Sequence, residues 1–395
     1  MSQARLYVND TNDRIHNGHP WVFDNQIVKE EGSYVPGDVV QVFDARKRAL
    51  GQGYINPASL IRVRLLTPHV EERINKEFMR ARIERAWRYR QRMGFAGSCR
   101  VVFGEADGLP GLVVDKFNAV LVLQFLTLGM ERWSEVVIDA LQEFIKPEGI
   151  YLRNDVPIRE KEGLALNKGF HGKAFKTDLV IEENAGAGVG VRMNVDVAGG
   201  QKTGHFLDQV MNHAAMRRIS AGMRVLDCFS HTGGFALHAA AYGAKDVEGL
   251  DISEEAVAQA TRNATLNGLA NCRFSAANVF DFLTEASRTG KQWDVIVLDP
   301  PAFAKSRGTI ENAYRGYKEI NLRALKCIPN GGFLVTCSCS QHMSPDLFRK
   351  MISEAARDAG RRLREVYYGT QPPDHPILWG VPETHYLKCL MLEVW

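Results

Sequence analysis

The stretch RVLDCFSHTGGFALHAAAYG, residues 224–243, decides the fold. It opens with a short apolar run, Arg224 to Phe229. It turns through Ser230-His231-Thr232-Gly233-Gly234, then continues as an apolar, alanine-rich segment that stops at Gly243. A buried strand, a glycine turn and a helix ended by glycine make half of a strand–helix–strand unit. The following sequence repeats the alternation. DVEGLDIS reads as a second strand, followed by a helix EEAVAQATRNATLNG capped by Ser253. CRFSAAN and WDVIVLDPP read as the third and fourth strands, with VFDFLTEASRTG as the helix between them. YKEINLRALKCI is a helix, GGFLVTCSCS a fifth strand and PDLFRKMISEAARDAG another helix. LREVYYG and HYLKCLMLEVW end the series as strands with no room for a helix between them, so an antiparallel pair at one edge is expected. The whole predicts a mostly parallel α/β sheet of Rossmann-like kind, covered by helices on both faces.

Upstream, the pattern differs. Up to about residue 70, short runs such as WVFDNQIV, DVVQVFDA and LIRVRLL are separated by Gly, Pro and Asp, which predicts an all-β region. Residues 71–100 carry nine Lys/Arg against four Asp/Glu, and Ile74, Phe78, Met79, Ile83, Ala86, Trp87 and Met93 recur near helical spacing. This predicts an amphipathic helix with Arg80, Arg82, Arg85, Arg88, Arg90 and Arg92 on a basic outer face, which suits either plain solvation or contact with nucleic acid. From about 100 to 190, strands surround one helix near 130–145. The expected division is 1–70, 71–190 and 191–395.

Composition sets limits. The chain has 395 residues and a net charge of only +3. No apolar run approaches the roughly 20 residues of a membrane span. The opening residues are polar where a leader would be apolar, so a cytoplasmic protein is expected. The seven cysteines (Cys99, Cys228, Cys272, Cys327, Cys337, Cys339 and Cys389) lack paired zinc-type spacing, and no metal is expected.

In such a sheet, ligands bind beyond the carboxyl ends of the strands. Asp227 lies at the end of the first strand, in a loop where Thr232, Gly233 and Gly234 let backbone approach a ligand. The full glycine fingerprint of a dinucleotide fold is missing, as is the phosphate loop of nucleotide hydrolases. Asp251 ends the second strand, where a carboxylate can accept both ribose hydroxyls. Asn278 ends the third, where an adenine edge would lie. Asp299 ends the fourth and is followed by Pro300-Pro301, a rigid lip. Singly these residues suit caps and turns; together they point to S-adenosylmethionine.

At this point the chain resembles the RlmI-type family of bacterial large-subunit (23S) ribosomal RNA cytosine-5 methyltransferases. The resemblance runs over essentially all of it. It is carried by GHPWVF (18–23), GEADGLPGLVVDKF (104–117), QKTGHFLDQ (201–209), VLDCFSHTGGFALHAA (225–240), LDPPAFAKS (298–306), TCSCSQHM (336–343) and DHP (374–376). It implies an N-terminal β-barrel-like PUA domain that binds RNA, a central α+β domain and a class I methyltransferase domain. It also implies that Phe206, Asp208, Phe229, Asp251, Asn278 and Asp299 line the cofactor pocket, and that Cys339 is the nucleophile, with Asp299 beside it in catalysis. The expected partner is ribosomal RNA, with the protein a monomer or homodimer.

Two positions depart from the family pattern. His231 stands where Tyr is usual, and Cys337 replaces a usual Phe, two residues from Cys339. On an extended strand both thiols would share a face, so spacing alone does not choose between them. Ala302 stands where many RNA cytosine-5 methyltransferases carry a second Cys for product release. Competing readings are a methyltransferase acting on an exocyclic amine such as guanine N2, against which Asp299-Pro300-Pro301-Ala302 argues, and a non-catalytic RNA-binding assembly factor. A dehydrogenase is disfavoured by the missing glycine fingerprint.

Overall fold

The computed structural model describes residues 3–10, 13–184, 188–303, 308 and 310–395. The chain forms two compact units. The first comprises Met1–Leu179, Val195–Leu207 and Pro373–Thr384; the second comprises Val180–Asn194, Asp208–Pro372 and His385–Trp395.

The main sheet of the second unit has seven strands among the described residues: β1 (Arg224–Cys228), β2 (Asp246–Asp251), β3 (Cys272–Ala276), β4 (Val295–Leu298), β5 (Phe333–Ser338), β6 (Leu363–Gly369) and β7 (Lys388–Val394). Their order is β3-β2-β1-β4-β5-β7-β6. The first five run parallel, while β7 is antiparallel to both β5 and β6. The expected antiparallel pair is therefore present, with β6 at the edge and β7 also bonded to β5. β4 reads VIVL and is buried at all four positions, as a strand covered on both faces must be.

Five helices connect the strands: α1 (Gly234–Ala241), α2 (Glu254–Leu266), α3 (Val279–Thr289), α4 (Ile310–Lys326) and α5 (Pro345–Asp358). Their starts are written in the sequence. Ser253, Asn278 and Ser344 accept from Ala256, Phe280 and Leu347 backbone N–H groups, satisfying donors that a helix start leaves open. On α5, Phe348, Met351, Ile352, Ala355 and Ala356 make one buried stripe. It packs into a core with Leu226, Ile296, Leu334 and Tyr317. The order reverses between β1 and β4, which opens the crevice where ligands bind in such sheets.

Two strand ends differ from expectation. β3 stops at Ala276, because Asn278 leaves the ladder to cap α3. β5 stops at Ser338, so Cys339 lies beyond the ladder and the same-face argument for the two thiols does not apply.

The first unit holds a six-stranded sheet from the β-rich N-terminus. Its order is Trp21–Phe23, Ile61–Thr67, Ala49–Ile55, Val39–Asp44, Arg5–Val8 and Ile27–Glu31. A five-stranded sheet follows, ordered Asn167–His171, Gly149–Asn154, Val120–Phe125, Leu112–Phe117 and Cys99–Phe103. The helices Lys76–Arg92 and Ser134–Ile145 belong to the same apolar core as this second sheet, together with Tyr54 and Leu66. No helix among the described residues is long and apolar enough to cross a membrane.

Candidate active site

The carboxyl ends of β1, β2 and β4 gather three carboxylates in the second unit. Asp227, inside β1, is 1% exposed. Its Oδ2 accepts from Ala236 N–H in the first turn of α1 at 2.9 Å, while its Oδ1 has no hydrogen-bond partner among the described residues. Burial, with the nearby Asp299 and Asp251 carboxylates adding to it, pushes Asp227 up to about 8; the Ala236 bond and His213 oppose the shift. A buried polar atom left open is costly and calls for a partner from outside the chain.

The loop from Phe229 to Gly234 is wound tightly. Phe229 (φ 64°) and His231 (φ 49°) adopt the left-handed backbone, as does Gly233 (φ 94°). A Cβ on Gly233 would lie 2.9 Å from the Phe274 ring, and one on Gly234 would lie 2.5 Å from the His213 ring. Gly233 is thus required by conformation and close packing, and Gly234 by close packing alone. His231 N–H donates to Asp251 Oδ2 and Ser253 N–H to Oδ1, each at 2.9 Å. The Asp251 carboxylate is held at the end of β2, half-buried, with further lone pairs on both oxygens. Thr232 is tied through its carbonyl, which accepts from Asn263 Nδ2 at 2.9 Å. The Ser230 hydroxyl, buried in the same loop, has no partner among the described residues.

Beneath the loop lies a buried triad. His213 Nδ1 pairs with Glu183 Oε2 at 2.9 Å, and His238 stacks on His213 at 5.2 Å. His238 Nδ1 donates to the Gly234 carbonyl at 2.8 Å, and Asn184 Nδ2 donates to its Nε2 at 3.1 Å. This fixes the tautomer of His238 and supports the glycine turn from below. The Glu183 carboxylate holds His213 above its usual value against the effect of burial.

Asp299 follows β4 directly. Gln209 Nε2 donates to its Oδ2 at 2.9 Å, and Gln209 Oε1 in turn accepts from Asn212 Nδ2 at 2.7 Å. Asp208, next to Gln209 and buried, accepts from the Tyr386 hydroxyl at 2.6 Å. A run of rings lies alongside: Phe229 to Phe280 at 6.4 Å, Phe280 to Phe303 at 6.1 Å, Phe303 to Tyr317 at 4.6 Å. Gln209, Phe280 and Phe303 were not singled out from sequence, although Gln209 and Phe303 lie inside quoted motifs. Residues 304–306 of the LDPPAFAKS motif lie outside the described residues.

Of the two thiols in TCSCS, Cys337 is fully buried, opposite Cys389 on β7. Burial, with the Cys389 thiol beside it, pushes Cys337 well above the usual thiol range. Cys339 is half-buried, the one cysteine of the seven that is not sealed in a core. Asn278 is exposed and its side-chain oxygen is committed to the α3 cap. Phe206 falls in the Val195–Leu207 segment of the first unit, where Lys202 Nζ sits 4.2 Å from its ring centre.

The arginines of the basic helix divide. Arg85, Arg88 and Arg92 are exposed. Arg88 pairs with Glu84 on the next turn back. Arg80 is exposed and pairs with Glu143. Arg82 lies over Phe78 and donates to the Gly108 carbonyl; burial and the Arg85 charge lower its pKa to about 10. Arg90 overturns its expected place on the outer face. It is fully buried, donates to Asp107 Oδ2 at 2.8 Å, and reaches the Arg100 and Asp374 carbonyls. Positions 79, 83, 86, 87 and 90 follow one apolar face, so the helix repeat itself turns Arg90 inward.

Known proteins resemble this chain in sequence and fold. Residues 9–68 match the PUA-like domain family, and residues 172–392 match the S-adenosylmethionine-dependent methyltransferase family. A protein of Shewanella amazonensis named Ribosomal RNA large subunit methyltransferase I is 42% identical over 384 residues, 95% of this chain and 96% of its own. One of the same name from Tolumonas auensis is 41% identical over 382 residues, 95% of each chain. Two solved structures, a methyltransferase complexed with SAH and an S-adenosylmethionine-dependent methyltransferase from Streptococcus mutans, share the fold. Their TM-scores are 0.83 and 0.82 at 19% identity, with 98% of this chain and 99% of each of theirs covered. The chain therefore belongs to the S-adenosylmethionine-dependent methyltransferases of the ribosomal RNA large subunit methyltransferase I family.

Proposed function

We propose that the protein methylates carbon 5 of a cytosine in large-subunit (23S) ribosomal RNA, in the cytoplasm, with Cys339 as nucleophile. The names of its relatives supply the RNA, and the sequence motifs supply the base. The observation that carries the choice of thiol is the contrast between sealed Cys337 and half-buried Cys339.

The residues at the strand ends fit the cofactor. Asp227 Oδ1 and the Ser230 hydroxyl are buried polar atoms without partners among the described residues, and three carboxylates suit a ligand carrying positive charge. In this reading Asp251 accepts the ribose hydroxyls and Asp227 an amine. Thr232 and Gly234 shape the turn, and Asp208, Phe229, Asn278 and Asp299 complete the pocket. Phe206 is kept in the set on the resemblance. When bound, S-adenosylmethionine supplies an electrophilic methyl group.

The chain's own groups prepare the base. Carbon 5 of cytosine is a poor nucleophile until a thiolate adds at carbon 6. Cys339 Sγ forms that bond with its own electron pair, and the ring pair moves toward carbon 5. Asp299, aimed by Gln209, holds the ring nitrogen and the exocyclic amine. Once carbon 5 is methylated its proton passes to water, and the S–C6 pair returns to sulfur. The exposed arginines of the basic helix, with the PUA-like domain, contribute RNA affinity. The parts 1–70, 71–190 and 191–395 serve RNA recognition, RNA support and methyl transfer.

RNA carrying 5-fluorocytosine tests this directly, because fluorine cannot leave as the proton does. A covalent adduct mapped to Cys339, lost in Cys339→Ala with cofactor binding intact, is the expected result. An adduct at Cys337 would reassign the nucleophile. No adduct, with methylation surviving both Cys→Ala changes, would move the enzyme to amine chemistry.

A further inference from the structure

Lys388 opens β7 and stands across from Ser338, the last residue of β5. Its side chain is buried, with the residue 1% exposed. The ammonium donates to two backbone carbonyls, Ser340 at 2.7 Å and Tyr386 at 2.8 Å. No carboxylate among the described residues forms an ion pair with it. An ammonium taken out of water without a counter-charge is strongly disfavoured unless one is supplied. Cys339 sits between Ser338, which lies across from Lys388 in the ladder, and Ser340, whose carbonyl the ammonium holds at 2.7 Å, and its charge acts to raise Lys388. Two other groups close the surroundings. His385 lies three residues before Lys388, and burial, then the Lys388 charge, depresses it. Tyr317 of α4 takes a hydrogen bond from the Ser338 hydroxyl at 3.1 Å and lies within the field of Cys339 and Asp299.

We propose that Lys388 is a positioning residue that holds the Cys339 sulfur as a thiolate and clamps the turn that carries it. The proposal rests on the reading of Cys339 as the nucleophile. Two distinct effects are combined. The bond to the Ser340 carbonyl ties the turn after β5 to the start of β7, and the bond to the Tyr386 carbonyl fixes the lysine on its own segment, so the sulfur keeps one position. The charge favours the thiolate over the thiol, which readies Sγ for carbon 6. When that bond forms, the ammonium loses its counter-charge, and this favours the return of the S–C6 pair to sulfur once the carbon 5 proton has gone to water. One buried cation thus assists both attack and release, in a chain where Ala302 stands at the usual release cysteine. Burial lowers Lys388 itself to about 8, with Cys339 acting to raise it, as a mutually dependent pair requires.

The test is the pH dependence of iodoacetamide alkylation at Cys339 in the full-length protein, read by peptide mass. The other six cysteines are buried, so the reagent reports on this thiol. In the unaltered protein the midpoint should lie below the ordinary thiol value of about 8.5. Lys388→Met should raise it by at least about one unit, and Lys388→Arg should restore most of the shift. Cofactor affinity should survive in both variants. An unchanged midpoint in a folded Lys388→Met protein would reduce Lys388 to a backbone clamp and overturn the proposal. Should that variant fail to fold, a midpoint at or above 8.5 in the unaltered protein overturns it equally. A depressed midpoint with no 5-fluorocytosine adduct would sustain the Lys388–Cys339 pair and sink the cytosine reading instead.

Discussion

Asp227→Asn should make the ligand-free protein more stable at alkaline pH while weakening its hold on the cofactor. The residue is buried in β1 with one oxygen bonded to Ala236 N–H and the other open. Its pKa stands at about 8 against an ordinary 3.8, chiefly because burial disfavours the charge. The folded-state value is therefore raised above the unfolded one. As pH rises from about 4, the unfolded chain loses this proton first, and the folded state loses stability until about pH 8. Below that window and above it the contribution is flat. Each unit is worth about 1.4 kcal/mol, so the drop between pH 5 and pH 8 is at most about 4 kcal/mol. Relaxation and partial hydration reduce it to about 2–4 kcal/mol. Asparagine has no proton to lose, so the stability gap between variant and parent should widen by that amount over the same range. Urea unfolding at pH 5, 6, 7 and 8 measures it. Calorimetry at pH 8 gives the second half: the amide turns a donor or a weaker acceptor toward the ligand, and affinity should fall by about 1.5–3 kcal/mol, the scale of a hydrogen bond to a charged group. Parallel pH profiles for the two proteins would refute the claim that Asp227 is a strained, buried acid.

Asp251→Ala should reduce cofactor affinity by about 1.5–3 kcal/mol, and unchanged binding in calorimetry would remove Asp251 from the pocket. Arg90→Ala should destabilise the protein by about 3–5 kcal/mol, since Asp107 would be left buried without its partner; denaturant unfolding reads this, and a loss under 1 kcal/mol would contradict the burial. Arg85→Gln with Arg92→Gln should flatten the salt dependence of RNA binding by about one to two charges' worth of slope; an identical slope would return the helix to an ordinary solvated surface. Gln209→Leu should lower kcat about tenfold while cofactor affinity holds, because it frees Asp299 from its donor; equal losses in kcat and cofactor binding would assign Gln209 to the pocket instead.

The sheet was legible because its signals are local. Apolar runs, the Ser253 and Ser344 caps and the glycine turn at 233–234 each act within a few residues. The acids at the strand ends could be read for the same reason, since Asp227, Asp251 and Asp299 each sit against a strand terminus. What escaped depends on distant partners. Gln209 finds Asp299 ninety residues on, and Arg90 finds Asp107 and the Asp374 carbonyl. Residue type favoured an exposed Arg90, and only its place in the helix repeat argued otherwise. Asn278 was read as a strand end because cap and strand end are adjacent in sequence. Some motifs that carried the resemblance turn out to hold the first unit together: Asp107 anchors Arg90, Asp115 pairs with Arg100, and the Asp374 carboxylate accepts from Arg100 N–H.

The chain passes between its two units five times, at 179/180, 194/195, 207/208, 372/373 and 384/385. During synthesis, the first unit lacks a segment until Thr384 has left the ribosome, and the second lacks one until Trp395 has. Pro373–Thr384 belongs to the first unit, yet it is made after β6 and before β7. An N-terminal unit that would ordinarily mature early on the ribosome must wait, partly assembled, for a segment almost four hundred residues from its start. A cut near residue 190 should therefore yield two incomplete pieces rather than two domains, because each unit takes residues from both sides of it.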